Sequence, residues 1–246
     1  MPEAAETGRD PATPEPFHRR TVSFTRRGGR LTERQQDAWD DVADQYVLDV
    51  PRHHASTSVA PDFRLDPAAV FGREAPLVVE IGSGRGEALV AAAEAEPDVD
   101  FLGLEVYVPG VAQTLVQLRH RQVPNVRLAV VDAAEALRTM LPEHCAREVR
   151  LWFPDPWHKA RHHKRRFVTE DAVPLVLRVL EPGGVWRMAT DWADYAEQMA
   201  DVIAASPLVE GGRVERFAGR PVTKFEQKGL AVGREIHDLE ARAARS

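Results

Sequence analysis

One cysteine, Cys145, stands among 246 residues. A single thiol excludes a disulfide framework and any multi-cysteine zinc site, and it fits a reducing compartment. Long apolar runs are missing too. None approaches the roughly 20 residues of a membrane-spanning helix, and the N-terminus lacks a hydrophobic signal core. The expectation is a cytoplasmic protein with no membrane partner. No metal is expected either: His53 and His54 have no acidic or cysteine partner at ligand spacing and read as surface or structural side chains. Positive charge is not in excess. The formal net charge of -6 argues, as an average, against nucleic acid, but an average is a poor guide where charge is clustered.

Charge is clustered here, and the chain divides accordingly. Residues 1–17 are rich in Pro, Ala and Glu, have little to bury and read as a disordered tail. From 18 to 30 the character is basic, with Arg19, Arg20, Arg26, Arg27 and Arg30 around Gly28-Gly29. Such an arm either docks on phosphates or is a solvated linker. Thr32-Glu33-Arg34-Gln35 has the spacing of a capping box and predicts a helix to about residue 43, so 18–70 reads as an arm and helical extension. The remaining domain, 71–246, is long enough to bury its own core. From Pro76 the pattern alternates. Strands are predicted at 77–81, 101–105, 126–131, 149–153 and 185–189. Helices are predicted at 87–96, 108–121, 133–140, from the N-cap Thr169 to 180, and at 192–204. Two weaker strand candidates, 214–217 and 232–236, complete the sheet. This alternation predicts an α/β, Rossmann-like, doubly wound parallel sheet.

The chain is organised around Leu151-Trp152-Phe153-Pro154-Asp155-Pro156-Trp157-His158-Lys159. An apolar strand ends in two prolines, which cannot donate ladder hydrogen bonds and stiffen the backbone around Asp155. A carboxylate is thereby fixed at a strand's C-terminal end, where open α/β sheets bind ligands. A rigid acid beside an indole suits a planar base with amino and imino donors. The cations that follow, Lys159, Arg161, Lys164, Arg165 and Arg166, suit the phosphates attached to such a base. The plain alternative is a proline turn followed by a solvated basic helix start. Trp157 itself reads equally as a stacking platform or as a core residue.

A glycine turn, Gly82-Ser83-Gly84-Arg85-Gly86, joins the first strand to the first helix of the sheet. Its spacing is GxGxG, with Glu87 where a dinucleotide fingerprint has its third glycine. Acids fall at three successive strand ends: Glu80, Glu105 and Asp132. A pyrophosphate would be repelled by Glu80. A ligand with an ammonium, ribose hydroxyls, an adenine amino group and a positive sulfur would be welcomed by all three, and S-adenosylmethionine is such a ligand. Glu105 also lies at the usual ribose-binding distance beyond the glycines.

Over about residues 23–239 the chain resembles the tRNA (guanine-N7-)-methyltransferase family. The carriers are Arg26-Arg27-Gly28-Gly29-Arg30-Leu31-Thr32, Glu80-Ile81-Gly82-Ser83-Gly84-Arg85-Gly86, Phe101-Leu102-Gly103-Leu104-Glu105, Phe153-Pro154-Asp155-Pro156-Trp157-His158-Lys159, Arg161-His162-His163-Lys164-Arg165-Arg166 and Thr223-Lys224-Phe225-Glu226. The resemblance implies a seven-stranded methyltransferase sheet with an antiparallel last strand. It implies methyl transfer from S-adenosylmethionine to the guanine at position 46, in the variable loop of tRNA. Cofactor contacts would be Glu80, Gly82, Gly84, Gly86, Glu105, Asp132 and Asp155, with Asp155 also the catalytic acid. Lys159, Asp191, Thr223, Lys224, Phe225 and Glu226 would hold the substrate, and Arg161, Lys164, Arg165 and Arg166 its phosphates. Asp191 also reads as an N-cap for the following helix. The chain departs from the family in Gln227-Lys228-Gly229, where a more arginine-rich continuation is expected, and in its acidic Pro/Ala tail. Two rivals stand beside this reading: a methyltransferase for small molecules or proteins, and an RNA-binding protein with a dead cofactor site. Monomer and homodimer are both open.

Overall fold

The computed structural model describes residues 29–244. The expected tail and the arm up to residue 28 lie outside the described residues. α1 (Glu33–Tyr46) starts at the capping box: the Thr32 hydroxyl accepts from Gln35 N at 3.4 Å, and the Gln35 side chain accepts from Thr32 N at 3.0 Å. After α2 (Pro67–Phe71) come β1 (Leu77–Ile81), α3 (Glu87–Ala95), β2 (Asp100–Glu105), α4 (Val108–Arg121) and β3 (Val126–Val130). α5 (Ala133–Glu135) runs into a π-helical turn, Ala136–Met140, and β4 (Ala146–Trp152) follows. A 3-10 turn, Ala160–Arg165, precedes α6 (Ala172–Val179), β5 (Leu180–Thr190), α7 (Ala193–Ala205), β6 (Val209–Val214), α8 (Lys224–Ala231) and β7 (His237–Ala243).

The seven strands lie in the order β3-β2-β1-β4-β5-β7-β6. β1 to β5 are parallel, and β7 runs antiparallel to both its neighbours. β1 and β2 are buried along their whole length, as expected of central strands covered by helices on both faces. Alternate residues feed opposite cores. Leu77, Val79 and Ile81 join one cluster, while Val78 packs with Phe101, Leu115 and Leu118 in the other. α1 is held on α4 in that second cluster, and Gln35 Nε2 donates to the Pro109 carbonyl at 3.1 Å.

The strand order reverses between β1 and β4, which opens a crevice at their C-terminal ends. Glu80 and the Asp155 turn both stand there. Several boundaries differ from those read in the sequence: β4 begins at Ala146 and β5 at Leu180, ahead of the expected 149 and 185. α6 begins at Ala172, after a turn in which Ala172 N donates to the Thr169 carbonyl at 3.0 Å, so Thr169 is not its N-cap. The last strands are β6 and β7 rather than 214–217 and 232–236. Their sequences, VEGGRV and HDLEARA, are largely polar or glycine and lack the apolar runs of the central strands. Between them lies α8, which sequence reading missed. Thr223 is its N-cap and accepts from Glu226 N at 3.3 Å.

Candidate active site

A cavity of about 520 Å3 occupies the crevice, walled by Glu80, Gly84, Glu105, Asp132, Asp155 and Phe225 among others. The glycine loop forms its floor. Gly82, Gly84 and Gly86 take φ of 69, 57 and 75°, values that only glycine adopts without cost. The loop leaves no room above α4 either. A Cβ on Gly110 would lie 2.4 Å from the Gly84 carbonyl oxygen, a clash with backbone that cannot swing aside. Gly110→Ala is therefore expected to destabilise the fold by about 1–3 kcal/mol and to weaken cofactor binding. Thermal unfolding with and without cofactor checks both.

Each acid has a different local role. Glu105 Oε2 accepts from Gly84 N at 2.7 Å, and Oε1 accepts from Val106 N and Tyr107 N at 2.7 and 2.8 Å. Glu105 thus fixes the glycine loop to the end of β2, and Oε2 keeps acceptor capacity toward the cavity. Asp132 caps α5, accepting from Glu135 N at 3.1 Å. Glu80 is 3% exposed, and its Oε2 has no hydrogen-bond partner. Burial pushes its carboxyl up to about 8, against a pull from Arg150 and with added pressure from Glu148 and Glu105.

The opposite wall is built from the proline turn. Phe153 and Trp157 bracket Pro154-Asp155-Pro156 with φ of 49 and 47°. Left-handed backbone at bulky residues costs about 1–3 kcal/mol each and persists only where the surroundings impose it. Here they do. Phe153 N donates to the Ala189 carbonyl at 2.8 Å, and the Arg220 guanidinium lies 5.3 Å from the Phe153 ring. Asp155 is exposed at the tip. Trp157 is only 9% exposed, with the Arg165 guanidinium 3.9 Å above its ring. Trp157 is therefore a packed residue, and its face is already covered.

α8 closes the cavity from the third side with Thr223, Lys224, Phe225 and Lys228. Phe225 is 60% exposed. Sequence reading missed what holds this helix. Glu87, first residue of α3, accepts from Lys224 N at 2.8 Å and pairs with Lys224 Nζ at 3.4 Å. The buried Arg220 donates to Glu226 at 2.7 Å and forks onto Asp238 of β7 at 2.8 and 3.1 Å. A T-x-x-E capping signal was present at Thr223, but nothing local to Glu87 or Arg220 marks a partner so distant in sequence.

Three expected roles need correction. Glu226 is buried with its carboxylate shared by Arg220 and Arg216, so it braces α8 instead of facing the cavity. Asp191 does not cap α7, whose N-cap is Trp192. It pairs with Arg234 at 2.7 Å and lies against Gly229 of α8. Arg166 is buried and bonded to Pro156, Asp194 and Gln198, so it has left the phosphate-facing set. Arg165 is laid over Trp157. Lys159, Arg161 and Lys164 are exposed on and before the 3-10 turn.

A family model described as "Putative methyltransferase" matches residues 74–239. Curated tRNA (guanine-N(7)-)-methyltransferases of Nocardioides sp. and Cutibacterium acnes are 47% and 48% identical to this chain. The first match covers 98% of both chains, the second 90% of this chain and 82% of the relative. The chain belongs to the tRNA (guanine-N7-)-methyltransferase family. The solved structure of the antibiotic-resistance methyltransferase Kmr agrees in fold alone, with a TM-score of 0.51 at 16% identity over 80% of this chain and 99% of that one.

S-adenosylmethionine is the cofactor of this methyltransferase, and the cavity fits it. Glu80 Oε2 is a buried polar atom without a partner in the glycine-loop wall. Buried polar atoms are rarely left unpaired, and a ligand carrying an ammonium and hydroxyls supplies the missing donor. Glu105 and Asp132, joined by Glu80 when it ionises on binding, add negative charge to match its net positive charge. Among the described residues no group of three His, Cys, Asp or Glu is arranged to hold a metal, and no helix is long and apolar enough to cross a membrane.

Proposed function

We propose that this enzyme methylates N7 of the guanine at position 46, in the variable loop of tRNA, in the cytoplasm. The observation that carries the reading is the shared cavity. The buried, unpartnered Glu80 stands on one wall and the rigidly presented Asp155 on the other. S-adenosylmethionine supplies an electrophilic methyl group when bound. Guanine N7 carries an unprotonated lone pair and is already an acceptor, so no residue has to remove a proton from it. The chain's task is alignment and exclusion of water.

Asp155 accepts hydrogen bonds from the N1–H and 2-amino group of guanine and stabilises the positive charge that develops on the ring. It is a positioning and electrostatic group, not a general base. Phe225, exposed at the cavity mouth, offers the base an aromatic face that Trp157 cannot. The target base must leave its tertiary contacts to enter, at the cost of some unstacking. Outside the cavity, Lys159, Arg161, Lys164 and Arg165 contact phosphates and read the shape of the tRNA.

Binding through about four phosphate contacts gives log KM for tRNA a slope of about 3 to 4 against log salt. Lys164→Ala should lower that slope by about one while leaving kcat near wild type. A KM insensitive to salt would remove the phosphate role.

A further inference from the structure

The Pro154-Asp155-Pro156 turn lacks the means to hold itself. Two of its three residues have no N–H to donate, and left-handed backbone at Phe153 and Trp157 on either side has to be imposed from outside. Arg166 provides an external donor. Its side chain is 1% exposed. Nε donates to the Pro156 carbonyl at 2.8 Å, one residue beyond Asp155. Nη1 donates to Gln198 Oε1 at 2.9 Å and to the Asp194 carbonyl at 3.4 Å, and Nη2 donates to the Asp194 carboxylate. The guanidinium lies 4.7 Å from the ring of the fully buried Tyr195. Asp194, Tyr195 and Gln198 all belong to α7. The rigid, planar fork of arginine therefore ties the proline turn to a helix of the main fold.

We infer that Arg166 is a positioning residue for Asp155, acting through the Pro156 carbonyl, and that this is why a cation in a phosphate-binding run is buried. The inference rests on Asp155 being the group that holds the base. Lys159, Arg161 and Lys164 face outward from the turn that ends beside Arg166. The phosphate-binding surface and the base-holding acid are thus mounted on one anchor, so that docking of the backbone and placement of the base share a frame.

Arg166→Lys keeps a charge for Asp194 but cannot span Pro156 and Gln198 together. Single-turnover methylation, with enzyme in excess and a labelled methyl donor, is measured for this variant in the wild-type and Asp155→Asn backgrounds. KM for tRNA is measured against salt in parallel. In the wild-type background the rate should fall on the order of 100-fold, as for a misplacement of about 1 Å. In the Asp155→Asn background it should hardly change, and KM and its salt slope should stay at wild-type values. An equal loss in both backgrounds would overturn the inference. So would a raised KM with a salt slope shallower by about one, the mark of a phosphate contact. A full rate in Asp155→Asn alone is a different result, and it removes the role of Asp155 itself. Asp194→Asn loosens the same anchor from the solvent side and should show the same pattern at smaller size. If Arg166→Lys fails to fold, an unchanged rate in Asp194→Asn overturns the inference.

Discussion

Asp155→Asn is expected to lower kcat by about 100- to 1,000-fold while leaving cofactor affinity near wild type. The magnitude is that of removing one preorganised group aimed at developing charge. Asparagine keeps the size of the side chain, and the turn that carries it is held through Phe153, Pro156 and Trp157, so the fold should be unaffected. The substitution replaces a full negative charge with a dipole that has one acceptor and one donor end. It can no longer accept from both N1–H and the 2-amino group, and it no longer offsets the charge of the methylated purine. Steady-state kinetics with unmodified tRNA, together with calorimetric cofactor titration, checks both halves. A kcat within a few-fold of wild type would contradict the role.

Cofactor affinity is expected to rise steeply with pH, and Glu80 is the cause. Burial holds its carboxyl up to about 8, so in the ligand-free protein it is mostly protonated at neutral pH. A cationic ligand binds the carboxylate form. Apparent affinity scales with the fraction already ionised, which gives a gain of about 50-fold between pH 6 and pH 8 and a plateau above. Binding near neutrality should release close to one proton, visible as a dependence of the heat on buffer ionisation. Glu80→Gln should flatten the profile and, above pH 8, weaken binding by about 10- to 150-fold, the worth of a charge-assisted hydrogen bond. The stability of the ligand-free protein should move in the opposite sense. A carboxyl raised from 4.5 to about 8 contributes stability that is fully present below pH 4.5 and lost as pH rises through 8. A pH-independent affinity in the wild type would remove this role from Glu80.

Features governed by local chemistry could be read in advance. The capping box at Thr32, the five central strands, the glycine turn and the acids at three strand ends follow from periodicity and backbone rules that act over a few residues. The resemblance to the methyltransferase family reached the same cavity from the Phe153 to Lys159 block. What could not be read depends on partners far away in sequence. Arg166 and Arg161 look alike in a basic run; only the placement of α7 makes one a buried anchor. Glu226 and Asp155 are both acids in motif blocks, yet Arg220 and Arg216 engage the first and the second is presented at a turn tip. β6 and β7 were misplaced because their residues are too polar to announce a strand. Their pairing, not their composition, makes the sheet continue. α8 is announced by the Thr223 and Glu226 capping pair, but the same four residues also carry the family motif, which says nothing of a helix.

The most direct test of the whole reading is to incubate the purified protein with unmodified tRNA and labelled S-adenosylmethionine, then map the product by reductive cleavage at 7-methylguanine. A single cleavage at guanine 46 of the variable loop is the expected result. Methylation at another base, or none while the cofactor still binds, would contradict the assigned substrate and leave only the cofactor half of the site standing.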